Sequence, residues 1–414
     1  MTSEIKQRIE QIRRGEVPEG YKKIHGDIVP LTWHQISLAD CIVPYEEKTS
    51  VANQYPVLTS SRKGLMLQTD YYSNRQVTTE DNVGYNIIPF GYITFRSRSD
   101  DGRFKFNQNS IIDRGIISYF YPVFTFSDGV SCEFLLQLLN HTIYKKMFPY
   151  AEGTAQQVLS LKKLGRFKYP VPQIHEQQKI ATVLSSQDKL VELKEKLLAE
   201  KQRQKKYLMQ QLLTGKRRLP GFEGVWKYIP AREIFKSITD KKHSGVLQVL
   251  SSTQDRGIVP RDQVGIDIKY EADSLSSYKK VEKGNFVISL RSFQGGIEYS
   301  DYTGIVSPAY TVLKSIEKIS DEYYKQFFKS TDYINRLNIA VYGIRDGKQI
   351  SYEDFGRIKI PYPALDEQIA IAKVLSTADR ENDLLRQDIE QEKQKKKALM
   401  QLLLTGIVRV TPCH

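Results

Sequence analysis

The chain has 414 residues, 40% hydrophobic and 26% charged, with 61 Lys and Arg against 48 Asp and Glu and a formal charge of +13. That composition excludes a disordered or collagen-like chain and leaves room for two or three domains with real cores. Such a basic protein is drawn to polyanions, nucleic acid first among them, and three scattered cysteines (Cys41, Cys132, Cys413) exclude a disulfide framework or a zinc cluster.

In chain order, the N-terminal "MTSEIKQRIEQIRRG" is polar and charged, unlike a secretion signal. Ile5, Ile9 and Ile12 are spaced four and three before Gly15, which predicts a helix over 1–15. It resembles the end of a helical block met later, as though the chain were cut from a circle and began with that block's tail. Residues 16–167 are rich in Tyr, Phe, Ile, Val, Gly and Ser. "YPVLTSS" and "GYITFRS" read as short strands, and "SCEFLLQLLNHTIYKKMF" as a helix. "GIISYFYPVFTF", the longest apolar run, also reads as strands and falls short of a membrane span, so a soluble, cytoplasmic protein is expected.

Residues 168–216 form a helical block that opens after Pro170-x-Pro172 and closes at Gly215. Positions 180, 184, 187, 191, 194, 198, 201, 205, 208 and 212 make a heptad seam, with Ile180, Leu184, Leu208 and Leu212 among its apolar members. Residues 217–358 are a second mixed block, with strands in "LQVLSST" and "NFVISLRS" and a helical stretch in "DEYYKQFFKSTDYINRLN". Residues 359–414 repeat the helical block, with Asp366 as expected N-cap and Ile371, Leu375, Leu399 and Leu403 on the seam. About 39 residues at 1.5 Å each predict a rod of about 58 Å.

The halves are copies. "PVPQIHEQQKIATVLSSQD" at 170–188 and "PYPALDEQIAIAKVLSTAD" at 361–379 share ten of nineteen residues, and "LMQQLLTG" at 208–215 returns as "LMQLLLTG" at 399–406. Fainter echoes run upstream: Trp33 and Ile36 with Trp226 and Ile229, "VLTSS" with "VLSST", and "GIISYFYPVF" at 115–124 with "GIVSPAYTVL" at 304–313. The fold expected is α+β: two globular mixed domains joined by two long antiparallel coiled-coil helices, a pseudo-twofold internal repeat.

Motifs of catalysis are missing. There is no G-x-x-x-x-G-K-[ST], no G-x-G-x-x-G, no Gly-x-Ser-x-Gly and no Asn/Asp-Pro-Pro-aromatic string. "ELK" at 192–194 fits a nuclease spacing superficially but lies mid-helix, where a solvated charge pair is the better account, and the six histidines show no ligand spacing. The expectation is a non-catalytic chain without a metal site.

The basic turns are more informative. In the first half they carry Ser60, Arg62 and Lys63, then Arg96, Arg98, Arg103 and Lys105. In the second half come Lys241 and Lys242, Arg256 and Arg261, Arg291 and Gln294, and Arg345 with Lys348. Arg, Asn and Gln read base edges while Lys, Ser and Thr hold phosphates, and the clusters fall at equivalent places in both halves. The polybasic helix stretches at 200–206 and 392–398 read instead as exposed faces or contacts to an acidic partner.

Two "P-x-P-x-[IL]-x-E-Q-x-x-I-A-x-V-L-S" blocks, each leading to "L-M-Q-x-L-L-T-G", resemble the specificity (S) subunit of type I restriction–modification systems. The resemblance implies two target-recognition domains, 16–167 and 217–358, each reading one half of a gapped site in double-stranded DNA. It implies conserved helical regions, 168–216 and 359–414, that bind methyltransferase (M) subunits, with a restriction (R) subunit as a further partner. S-adenosylmethionine then belongs to the methyltransferase partner, and this chain needs no cofactor of its own. Glu176, Gln177, Glu367 and Gln368 of the doubled motif join the seam residues as candidates for the coiled coil or the partner contact. The rivals are a coiled-coil scaffold, a stand-alone DNA-binding protein without restriction–modification partners, a fused nuclease or methyltransferase, and an RNA-binding protein.

Overall fold

The computed structural model describes residues 2–72, 81–147, 157–243, 247–254, 256–264, 272–290, 292, 296–340 and 350–410. It forms two compact units, Met1–Leu193 with Glu390–His414, and Lys194–Ile389. These cut both long helices mid-length, whereas the repeat pattern places domain boundaries at the helix ends. The reason lies in the cores: each mixed block buries the start of one long helix and the end of the other.

Both long helices span 39 residues, Ile174–Leu212 and Leu365–Leu403, as the heptad pattern predicts. Asp366 does not cap its helix but sits inside the first turn. The Ala364 carbonyl opens that helix, accepting the amides of Glu367 and Gln368 at 3.0 Å each. The Asp366 carboxylate instead lies at the positive end of the helix dipole. At the far ends, Gly215 (φ 70°) and Gly406 (φ 72°) adopt the left-handed conformation that stops a helix.

In each unit a long sheet core repeats strand for strand. The first unit orders its four strands Phe106–Gln108, Ile93–Phe95, Val123–Phe126 and Ile42–Tyr45, all antiparallel. The second orders Glu298–Tyr299, Phe286–Ile288, Thr311–Ser315 and Phe235–Ile238 in the same way. A hairpin accompanies each sheet, Leu58–Ser61 with Gly64–Leu67 and Leu250–Thr253 with Gly257–Pro260. Each unit also pairs the strand leading into its long helix, Lys168–Val171 or Lys359–Tyr362, with His34–Ser37 or Lys227–Pro230.

Apolar burial ties these parts together, at roughly 25 cal/mol per Å² removed from water. In the first unit Phe95, Phe106, Phe124 and Phe134 pack with Ile180, Leu184, Leu403 and Leu404. In the second, Phe235, Phe286, Tyr324 and Phe328 pack with Leu212, Ile371 and Leu375. The stretch "DEYYKQFFKSTDYINRLN" is two helices, Asp321–Phe327 and Thr331–Ala340, because Ser330 caps a new start by accepting the Tyr333 amide at 3.3 Å. The N-terminal helix Ser3–Arg13 belongs to the first unit, where Arg8 Nη1 donates to the Ile407 carbonyl at 2.9 Å. Among the described residues no helix is long and apolar enough to cross a membrane.

Candidate nucleic-acid interface

The hairpin Leu58–Ser61 with Gly64–Leu67 pairs Ser61 with Gly64, so Arg62 and Lys63 form its two-residue turn. Beside it, the central strand Ile93–Phe95 runs out into Arg96 and Arg98, and the chain returns past Arg103 and Lys105 into Phe106–Gln108. The three segments enclose a cleft of about 390 Å³. All seven first-half candidates line it: Ser60, Arg62, Lys63, Arg96, Arg98, Arg103 and Lys105.

Polar contacts fix the walls. Asn107 is buried and donates from Nδ2 to Ser60 Oγ at 2.8 Å and to the Ser61 carbonyl at 2.9 Å, which seats the hairpin on the sheet. Ser60, itself buried, therefore serves as floor and not as a contact group. Asp101 accepts from Arg62 Nη2 at 2.5 Å, Ser99 Oγ at 2.9 Å and the Arg103 amide at 3.1 Å. These donors, Arg62 foremost, lower the carboxyl to about 2. Desolvation, with repulsion from Lys396, lowers Lys105 below the usual ammonium range. Burial pushes the Tyr121 phenol up against the opposing pull of Arg96.

The cleft offers fixed cations with hydroxyl donors, a set suited to phosphates, and guanidinium forks suited to base edges. Sequence reasoning missed its aromatic lining, Tyr71, Tyr72 and Tyr121, its acid Asp100, and the acid Asp101 that holds Arg62. The tyrosines flanking the basic strings were the available signal, since stacking surfaces interleaved with cations mark nucleic-acid faces.

In the second unit the equivalent hairpin carries Arg256 in its turn, with Nη1 donating to the Gln263 carbonyl at 3.3 Å. Arg261 donates to Ser251 Oγ at 3.1 Å and lies 5.9 Å over the Tyr278 ring. Lys241 and Lys242 are exposed and follow Asp240, whose carbonyl accepts the Lys280 amide at 2.7 Å. They thus gather near Tyr278 together with Arg261. Arg291, Gln294, Arg345 and Lys348 lie outside the described residues.

Most of the motif residues on the helices are buried in their own units, where they make internal contacts. Glu176 takes a bidentate bond from Arg409, with both N–O distances 2.6 Å, and Glu367 takes one from Arg218 at 2.5 and 2.7 Å. Gln177 accepts the Ser131 amide and donates to the Pro172 carbonyl, both at 2.9 Å. Gln368 does the same with Ser320 and Pro363, also at 2.9 Å. Ile180, Leu184, Leu212, Ile371, Leu375 and Leu403 are buried core, while Leu208 and Leu399 pack partly buried against it.

Within each unit the two helix segments run antiparallel. Asp188 pairs with Lys396 and Gln187 Nε2 donates to Glu392 at 2.6 Å in the first. Lys194 pairs with Asp388 at 2.8 Å, Lys201 with Glu381 at 2.9 Å, and Lys205 with Asp379 in the second. The polybasic stretch at 200–206 is thus partly spent on the facing helix. Lys194 of "ELK" is likewise paired, as a structural charge would be.

Two copies of one scaffold, each carrying cations at a hairpin turn and at its strand ends, and each clamped to antiparallel helix segments by a buried Glu-Gln doublet, define a DNA-specificity protein built as an internal repeat. The family described as type I restriction modification DNA specificity domain matches residues 36–201 and again 225–394, and the chain belongs to that family. It is 24% identical over 432 residues to the type I restriction enzyme MjaVIII specificity subunit of Methanocaldococcus jannaschii, covering 95% of this chain and 96% of that one. The S subunit of a type I restriction–modification system from M. genitalium aligns at 14% identity with a TM-score of 0.53, covering 92% and 97% of the two chains. A chain from a structure of type I R-M complex assembly and conformational transition aligns at 15% identity with a TM-score of 0.54, covering 92% and 99%. Likeness at these identities establishes the shared fold.

Proposed function

We propose that this chain recognises a bipartite, gapped site in duplex DNA, one half-site per α+β domain, and directs methyltransferase and restriction subunits to it. The observation that carries the reading is the convergence of the first-half candidates on one basic, tyrosine-lined cleft of a scaffold that the second unit repeats. Lys63 and Lys105 suit phosphates, and Arg62, Arg96 and Arg98 supply forks for base edges. The chain itself is non-catalytic in this reading. It supplies the address, and the methyltransferase partner supplies S-adenosylmethionine chemistry. Partner contact falls to the exposed outer faces of the helices, where Val183, Leu193, Leu197 and Leu384 reach solvent, since the motif carboxylates are engaged internally.

The test is selection of bound duplexes from a random library by this chain co-purified with its methyltransferase subunit. A two-part motif with a fixed gap, bound with steep salt dependence, is expected. Uniform binding across the library would overturn the reading in favour of a coiled-coil scaffold.

A further inference from the structure

We propose that the turn Ser118–Tyr121 of the first unit carries an aromatic wedge, Tyr119 with Phe120, that stacks on nucleobases of duplex DNA at that unit's half-site. The proposal rests on the DNA-recognition reading above and deepens it.

The same turn exists in both units. Tyr121 donates its amide to the Ser118 carbonyl at 2.9 Å, and Tyr310 donates to Ser307 at 3.0 Å. A neighbouring strand holds each turn at the same carbonyl: Asn86 Nδ2 donates to Tyr121 O at 2.9 Å, and Lys279 Nζ to Tyr310 O at 2.6 Å. The scaffold is therefore common, while the two central residues are not. The first unit has Tyr119 and Phe120 where the second has Pro308 and Ala309. Proline and alanine satisfy this turn, so its fold does not require aromatic rings there.

The rings face water all the same, with Tyr119 57% and Phe120 48% exposed and their centroids 4.1 Å apart. A pair of bulky aromatics left in solvent on a turn that tolerates Pro-Ala points to a ligand with flat apolar faces. Two observations identify that ligand as nucleic acid. The Arg98 guanidinium lies 5.3 Å over the Phe120 ring, and Arg98 also lines the basic cleft. Tyr121, at the end of the turn, lines the same cleft. The aromatic tip is thus continuous with a surface whose charge suits phosphates. Apolar side chains set beside phosphate-holding cations unstack base steps, and every base offers a π-face to an aromatic ring.

The experiment uses the chain in complex with its methyltransferase subunit, on duplexes of the selected site carrying 2-aminopurine at successive positions through both half-sites. Wild type is compared with the double variant Tyr119→Pro, Phe120→Ala, which installs the second unit's own turn. The expected result is a severalfold fluorescence rise at one or two adjacent positions of one half-site, abolished in the variant. Specific binding then weakens about tenfold while its salt slope stays the same, because no phosphate contact is lost. The reciprocal variant, Pro308→Tyr with Ala309→Phe, is expected to create a rise in the other half-site, and decides the matter if the first variant fails to fold. A rise that persists unchanged in the first variant belongs to the methyltransferase subunit and overturns the wedge. Normal gapped-site binding with no rise at any position overturns it too and leaves the recognition reading standing. Failure to select any gapped site overturns the recognition reading, and the wedge with it.

Discussion

Asp101 pairs with Arg62, one of six cationic side chains that line the first unit's cleft, and its effect is decided by how it is held. Its folded pKa of about 2 lies below the ordinary carboxylate value of about 3.9. The pairing is therefore complete above about pH 4 and is lost as pH falls toward 2; through neutral pH the carboxylate stays charged. Arg62 and Asp101 are 63% and 44% exposed as side chains, so the pair contributes little to stability. Its weight falls on direction: one Nη is tied down, which leaves the remaining guanidinium donors for a base edge. Asp101→Asn is expected to change stability by less than about 0.5 kcal/mol. It should steepen the salt dependence by roughly one phosphate contact and cut discrimination at one base pair about tenfold. Anisotropy titrations at several salt concentrations, on selected and scrambled duplexes, check this. An unchanged slope together with an unchanged specificity ratio would exclude a positioning role. The string "FRSRSDDGRFKFNQ" made the cations legible in sequence, but not the acid's task, because that depends on a hairpin turn 39 residues away.

At the scale of elements, the Glu-Gln doublet explains why the repeated motif is so similar in both copies. Gln177 and Gln368 tie the first turn of a long helix to the start of a domain segment, and Glu176 and Glu367 bind the tail that follows the other helix. The heptad spacing made the helices, their length and their glycine stops legible. It did not show that both ends of the seam are domain core, since Ile180 in a coiled coil and Ile180 under a sheet give the same apolar spacing. Nor did it separate partner contact from internal clamp for a polar doublet, because burial is a property of the assembled unit. Glu367 is almost fully buried and also accepts Trp226 Nε1 at 2.9 Å, whereas buried Trp33 Nε1 finds no acceptor among the described residues. Glu367→Gln should leave Arg218 without its counter-charge and destabilise the second unit by about 3 kcal/mol. Trp33 and Trp226 are the chain's two tryptophans, so a Trp33→Phe background makes fluorescence report the second unit alone. Its urea midpoint is expected to fall by roughly 1 M on adding Glu367→Gln. A midpoint that stays put would mean the clamp carries no net stability.

For the whole molecule, the question is what the long helices measure. Seven added residues lengthen a helix by about 10 Å and keep the 3.5-residue seam in register, while five added residues rotate it by roughly 140°. Leu193/Lys194 and Ile389/Glu390 are the places to insert, because each unit's own cross-helix contacts then survive intact. Asp188–Lys396 and Gln187–Glu392 stay within the first unit, and Lys194–Asp388, Lys201–Glu381 and Lys205–Asp379 within the second. One heptad at both places is expected to yield a selected DNA motif whose two halves keep their sequences while the gap grows by about three base pairs, at 3.4 Å each. Five residues at both places should abolish selection of any gapped motif, since a turn of roughly 140° in each helix breaks the continuity of the seam across the insertion while each unit's own contacts persist. The two insertions separate a ruler from a tether. A flexible connection would accept either length and widen the range of gaps bound, whereas a rigid one admits only whole heptads and moves the gap as a step. Selection by the heptad variant of the original gap, unshifted, would show that helix length does not set the spacing.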